Sequence, residues 1–160
     1  MAARDSLQPE QLKMFMSANE IEQQYGPMES VDSTSPRGGT LATKLRKIEE
    51  RTADSKRLGY QVVNFTPEQL TTEGVREPIQ LVHGGVWDSH WKFYPDGKEE
   101  HLGETLAHEG RTLIGDGGHR FATMRKYAPD TLFPVEHLTP EDMWRAVAGN
   151  RPIKPMKKDD

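Results

Sequence analysis

Leu113-Ile114-Gly115-Asp116-Gly117-Gly118-His119-Arg120-Phe121-Ala122-Thr123-Met124-Arg125-Lys126-Tyr127 is the stretch that decides the fold. Arg111 to Ile114 reads as a short strand. Gly115, Gly117 and Gly118 make a tight turn, and a helix is expected from His119 to about residue 128. A strand that runs through glycines into a helix start can hold an anion. Glycine lets the backbone approach a ligand closely. The free N–H groups and the positive end of the helix dipole face the mouth of the turn.

The same turn carries reactive side chains. Asp116 can accept a ribose hydroxyl, hold a magnesium ion or act as a general base. His119 can donate to a phosphate or move a proton near neutral pH. Arg120 is a cation in the first helical turn, where the dipole opposes it. A phosphate held at that turn resolves the conflict, because the guanidinium fork matches it. A tight turn closed by an Arg–Asp pair fits the same pattern.

The bulk properties narrow the class. The chain has 160 residues, which suits one domain with appendages. Its hydrophobic fraction is 34% and its mean hydropathy is −0.80, so a small core and some unpacked tail are expected. A formal net charge of −4 is not that of a strongly basic nucleic-acid binder. With no cysteine, disulfides and thiolate metal sites are excluded. No apolar membrane span and no signal-peptide core stand out, so the cytoplasm is the expected compartment. There is no Walker loop, nucleophile elbow or zinc-ligand spacing. Of the six histidines, only His119 sits in a chemical setting, and the rest read as scattered surface residues.

Before the turn, residues 6–25 are predicted helical, with Ser6 as cap, Pro9 in the first turn, and Leu12, Phe15, Met16 and Ile21 at helical spacing. So thin a stripe must lean on the main domain or on a protein partner. Residues 26–40 read as a flexible linker. Thr40 caps a helix over 41–57 with Leu41, Leu45 and Ile48 on one face. Lys44, Arg46, Lys47, Glu49, Glu50 and Arg51 read as its solvated face. Tyr60–Phe65 is expected to be a strand, and Thr66-Pro67-Glu68-Gln69 to open a short helix. Ile79–Val82 is the next strand.

Residues 86–103 read as a hairpin turning at Pro95-Asp96-Gly97. Its Trp87, Trp91, Phe93 and Tyr94 are expected to pack it onto the core rather than form a base-stacking platform. Residues 104–110 are expected to be a loop or short helix. After the turn, Leu132–Glu136 reads as an edge strand because of Pro134. Thr139-Pro140-Glu141-Asp142 starts a last helix that buries Met143, Val147 and Trp144 and ends at Gly149. Residues 151–160 are expected to fray.

Two motifs in this order resemble the ParB/sulfiredoxin-like superfamily: Gly74-Val75-Arg76-Glu77-Pro78-Ile79, and Gly115-Asp116-Gly117-Gly118-His119-Arg120 followed by Pro134-Val135. The resemblance covers roughly residues 60–137 and is nearest to the small ParB-like, nuclease-annotated proteins of phages and plasmids. It implies an α+β fold, a small mixed β-sheet with flanking helices. An N-terminal helix (1–25) and a mobile linker (26–40) would precede a ParB-like domain (41–150), with a tail at 151–160. It implies a nucleotide-phosphate site formed by Gly117, Gly118, His119 and Arg120, with Gly74, Arg76, Glu77 and Pro78 packing over it. Asp116, His119 and Glu77 take the catalytic positions, and Asp116 the metal.

The cofactors that the resemblance implies are Mg2+ and a nucleotide: ATP, ADP or CTP. DNA is a further implied partner, and a protein partner is expected through the N-terminal helix, with no membrane. A phage-encoded chain would work in the host cytoplasm. Where ParB proteins carry a glutamate and sulfiredoxins their cysteine, this chain has Gly118. Sulfiredoxin chemistry is thereby excluded, and ParB-type CTP hydrolysis lacks its usual side chain. No helix-turn-helix segment follows the turn. The expected function is nucleotide-phosphate binding on or near nucleic acid, with nuclease or nucleotide hydrolase as the enzyme class. The alternatives are a non-enzymatic interaction protein and a small-molecule kinase of the free-serine kinase type.

Overall fold

The computed structural model describes residues 13–33 and 39–156. Within them the chain is a mixed α+β protein. In order it forms β1 (Phe15–Met16), α1 (Ala18–Tyr25), α2 (Leu41–Leu58), α3 (Pro67–Glu73), β2 (Ile79–His83), β3 (Val86–Phe93), β4 (Glu99–Ala107), β5 (Thr112–Ile114), α4 (Gly118–Tyr127), β6 (Phe133–Leu138) and α5 (Pro140–Ala148). One sheet runs β1-β6-β2-β5, and β3 with β4 forms a separate hairpin. β2 pairs parallel with β6 and antiparallel with β5, so the sheet is mixed.

α4 carries little amphipathic pattern because it is enclosed. It packs against α1, α2, α3 and β2. Phe121, Ala122, Thr123 and Met124 are all buried. Phe121 meets Phe133 of β6 edge-to-face, with ring centroids 6.4 Å apart. Ile79, Leu81 and Ile114 supply the sheet side of this core, and Leu41, Leu70 and Ile21 the helical side. Local chemistry sets the helix starts. Thr66 and Gln69 form a reciprocal capping box on α3, and Thr139 and Asp142 form one on α5, each followed by a first-turn proline.

Several expectations are corrected by tertiary pairing. The expected helix over 6–25 begins only at Ala18, capped by Ser17, because Phe15 and Met16 pair with Pro134 and Phe133 as a strand. Ser6, Pro9 and Leu12 lie outside the described residues. Met16, Ala18 and Ile21 are fully buried in the chain's own core, so this segment is part of the domain. The linker expectation fails at 28–33: Met28 is in the core, and Val31 N–H bonds to the Ile114 carbonyl beside β5. Tyr60–Phe65 is a loop, held by Gln61 Nε2 donating to the Val63 carbonyl.

Pro134 lies in an internal strand rather than an edge one. It precedes the first pair of the parallel ladder, Ile79 with Val135, where its missing N–H is not needed. Residues 104–107 extend β4 instead of forming a loop or helix. Trp91, Phe93 and Tyr94 stay exposed on the hairpin rather than packing on the core. In α5, Trp144 is buried but Val147 is 78% exposed. The tail is not frayed through 156: the Glu104 carboxylate and backbone accept and donate bonds to Lys154 and Met156.

Two histidines expected at the surface are buried. His83 Nδ1 lies 3.0 Å from Thr112 Oγ1, His83 Nε2 lies 2.8 Å from His137 Nδ1, and His137 Nε2 lies 2.7 Å from the Lys13 carbonyl. The carbonyl can only accept, so His137 Nε2 donates to it; where that ring is neutral, its Nδ1 accepts from His83 Nε2. Thr112 then donates to His83 Nδ1. In this chain of bonds His83 accepts at Nδ1 and donates at Nε2, so its ring is neutral. Burial, and then the neighbouring His137, push the His83 pKa down from 6.5 to about 4. A depressed histidine pKa gives stability that is fully present above about pH 6.5 and is lost as pH falls toward about 4, worth at most about 3 kcal/mol. Chemical denaturation at pH 7.5 and 4.5 checks this. The wild type should lose more stability over that interval than His83→Gln, so that the gap between them narrows; a constant gap contradicts it.

Candidate functional site

The glycine turn is held from below by Gln80 of β2. Gly115 N–H donates to the Gln80 carbonyl at 2.8 Å, Gln80 N–H to the Asp116 carbonyl at 2.9 Å, and Asp116 N–H to Gln80 Oε1 at 3.0 Å. The chain then reverses at Gly117, whose φ of +103° is left-handed. A Cβ there would also stand 3.0 Å from Arg120 Nη2 and 3.1 Å from Ile79 Cγ1. No side chain caps α4, and its ladder begins with Phe121 N–H on the Gly117 carbonyl. The earlier N–H groups of the first turn remain for a ligand.

The turn opens into a cleft of about 760 Å³. Arg76, Glu77, Asp116, Gly117, Gly118, His119 and Arg120 line it, together with Gly74. The candidate site residues Gly74, Arg76, Glu77, Asp116, Gly117, Gly118, His119 and Arg120 therefore meet at one cavity, whereas Pro78 does not line it. Gly74 is the left-handed C-cap of α3, which swings the chain into the Arg76–Pro78 segment. Arg120 ties that segment to the turn: Nη1 donates to the Glu77 carbonyl, and Nη2 lies 3.5 Å from Asp116 Oδ2. The Arg–Asp pair is thus present, and Arg120 spends part of its fork inside the protein. Asp116 itself is 72% exposed.

Helix α2 brings charges that the sequence reading assigned to solvent. Lys44 is buried, 3.3 Å from Asp32 Oδ2, and its stem passes over Gly118. Arg51, two turns on, lines the cleft. Burial first, and then the positive charges of Lys44, Lys47 and Arg51, hold the His119 pKa below its usual value, against a weaker opposing effect of Asp32. These influences favour the neutral ring. Arg51 and Arg76 have no ion pair among the described residues. The signal was legible: Lys44, Lys47 and Arg51 sit at i, i+3 and i+7, a cationic stripe beside the apolar one. The far wall is the loop before α3, with Gln61, Val63, Asn64 and Phe65.

No His, Asp or Glu group of three or more could hold a metal ion among the described residues. Asp88 and His90 share a face of β3, but His90 Nε2 is bonded to Thr105. No described helix is long and apolar enough to cross a membrane. No family model, curated protein or solved structure matches the chain.

Gly118 is fixed by packing. A Cβ on it would come within 2.9 Å of Lys44 Cδ, and Lys44 is buried and ion-paired. Gly118→Ala should cost about 1 kcal/mol by overpacking, read as a lower denaturation midpoint. The cost should shrink in a Lys44→Ala background. An equal cost in both backgrounds contradicts the contact.

Proposed function

We propose that the chain is a ParB-like nucleotide-binding domain that holds the phosphates of its ligand at the start of α4. The observation that carries this reading is the pairing of an uncapped α4 N-terminus with two unpaired arginines, Arg51 and Arg76, in one open cleft. Helix N–H groups and guanidinium forks both bind phosphate oxygens. Three other helices, α1, α3 and α5, place an acid in their first turn, whereas α4 places His119 and Arg120 there. An anionic ligand supplies the missing negative charge. The cleft volume lies in the range of small-molecule sites. With a net charge of −4, a free nucleotide suits the chain better than a long duplex.

Asp116 is the carboxylate placed for Mg2+. Magnesium is commonly held by one or two carboxylates together with the ligand's phosphates, so no cage of protein donors is required. His119, whose pKa is lowered by burial and by its cationic neighbours, is the group able to take a proton from a water molecule beside a bound phosphate, which is the step a nuclease or nucleotide hydrolase needs. Glu77, also at the cleft, is a second carboxylate in reach. A second reading, nucleotide binding without turnover, is favoured by Gly118. Lys44 fills the space above it, so no reactive side chain enters there.

Calorimetry with inorganic tripolyphosphate, ATP, ADP and CTP in Mg2+ tests the proposal. Binding of tripolyphosphate is expected, and Arg51→Ala or Arg76→Ala should each weaken it about tenfold. Both side chains are exposed, so the fold should not change. Absence of binding by every one of these anions overturns the reading.

A further inference from the structure

The two edges of the β3–β4 hairpin are treated differently by the rest of the chain. Leu102 is an extra residue on β4: His90 pairs with Gly103 and Trp91 with His101, so β4 bulges there while β3 stays regular. The outer edge of β4 is also taken. Glu104 N–H donates to the Lys154 carbonyl at 2.8 Å, Met156 N–H to the Glu104 carbonyl at 2.9 Å, and Lys154 N–H to the buried Glu104 carboxylate at 2.6 Å. A bulge and a covering segment both protect a sheet edge from further pairing. β3 has neither, and it pairs with β4 alone among the described residues. Tyr94 N–H donates inward to the Lys98 carbonyl, so the alternation along the strand turns the N–H and C=O of Phe93, Trp91 and Ser89 outward. Residues 91–100 are exposed throughout, and a two-stranded ribbon in water is marginal by itself. No hairpin residue lines the α4 cleft.

Two charges on β3 define what fits this edge. Asp88 and Lys92 lie on one face of the strand, are both exposed, and have no ion pair among the described residues. Four residues apart on a strand, they are separated by about 13 Å and cannot reach one another. A second β3 running antiparallel brings each opposite the other. We infer that two copies of the chain pair through their β3 edges, about a two-fold axis at His90, into one four-stranded sheet. In that register Lys92 of each copy faces Asp88 of the other, in non-hydrogen-bonded pairs where side chains stand closest. Ser89 faces Trp91, and their outward backbone groups supply the ladder. Phe93, 69% exposed, meets Trp87 of the other copy as a cross-strand aromatic pair. A slip of two residues sets Lys92 opposite His90 or Val86 instead, so the charges select the register. The contact uses the same patch on both copies and closes on itself.

Sedimentation velocity of the full chain over a concentration series tests this. A species of twice the chain's 18.2 kDa should form as the concentration rises. Asp88→Lys and Lys92→Asp should each weaken it about tenfold, because each sets like charges opposite one another at two places. The variant carrying both changes should dimerise like the wild type. The two single variants, mixed, should associate with each other more tightly than either does with itself. Ser89→Pro removes an outward N–H that β4 does not use, and should abolish the dimer with the circular dichroism of the helices unchanged. A chain that stays monomeric at every concentration overturns the inference and leaves the edge to a different protein or to none. A dimer indifferent to both charge reversals also overturns it, because the contact then lies on another face. So does a loss in the single variants that the double variant does not recover.

Discussion

Gln80 grips the glycine turn with three hydrogen bonds, two through its backbone and one through its side chain. Gln80 sits in β2, which is flanked by β6 and β5 and cannot shift without breaking both ladders. The turn inherits that rigidity. Its left-handed glycine then aims α4 into the middle of the molecule, where four elements pack around it. The start of α4 is thus held at a fixed place while its N–H groups stay open. Arg120 adds the second tether, from the turn to the Glu77 carbonyl, and draws the segment after Gly74 into the same cavity.

The electrostatics follow from this placement. A helix N-terminus is already positive, yet α2 sets Lys44, Lys47 and Arg51 near it as well. Unbalanced positive charge around one opening weakens a protein through like-charge repulsion, and a bound anion relieves it. Asp32 pairs with Lys44 and Asp116 with Arg120, while Arg51 and Arg76 have no ion pair among the described residues and share the cleft with Glu73 and Glu77. Burial first, and then this positive charge, make His119 give up its proton more readily than a free histidine. Lys44 does two things here: its charge lies near the site, and its stem occupies the space a side chain at Gly118 would need.

The sequence made the glycine turn, the two capping boxes and the α2 stripe readable, because each is set by residues within a turn or two of one another. What it hid was decided across long distances. Phe15 and Met16 look helical by spacing but are claimed by β6, more than a hundred residues on. Met28 lies among linker-like residues, yet the core takes it. Pro134 argues for an edge, and β6 is internal because the proline falls just outside the parallel ladder. Tyr60–Phe65 has the composition of a strand but no partner, and its amides bond within the loop instead. At the cleft, the residues from the two motifs and the spacing of Lys44, Lys47 and Arg51 were legible, but the placing of Arg51 and Asn64 on cleft walls was not. A charge on a helix and an amide in a loop gain meaning only from the wall they face.

The central claim is that positive charge gathered at the start of α4 awaits an anion. The His119 side chain responds to that charge in addition to its own burial. An NMR titration of the His119 ring, with and without saturating tripolyphosphate, measures it. The account predicts a pKa below the usual 6.5 in the free protein and a clear rise when the anion binds, because the ligand cancels the field of Lys44, Lys47 and Arg51. A His119 pKa that is unchanged at saturating tripolyphosphate, or a free-protein value at or above that of an ordinary histidine, contradicts it.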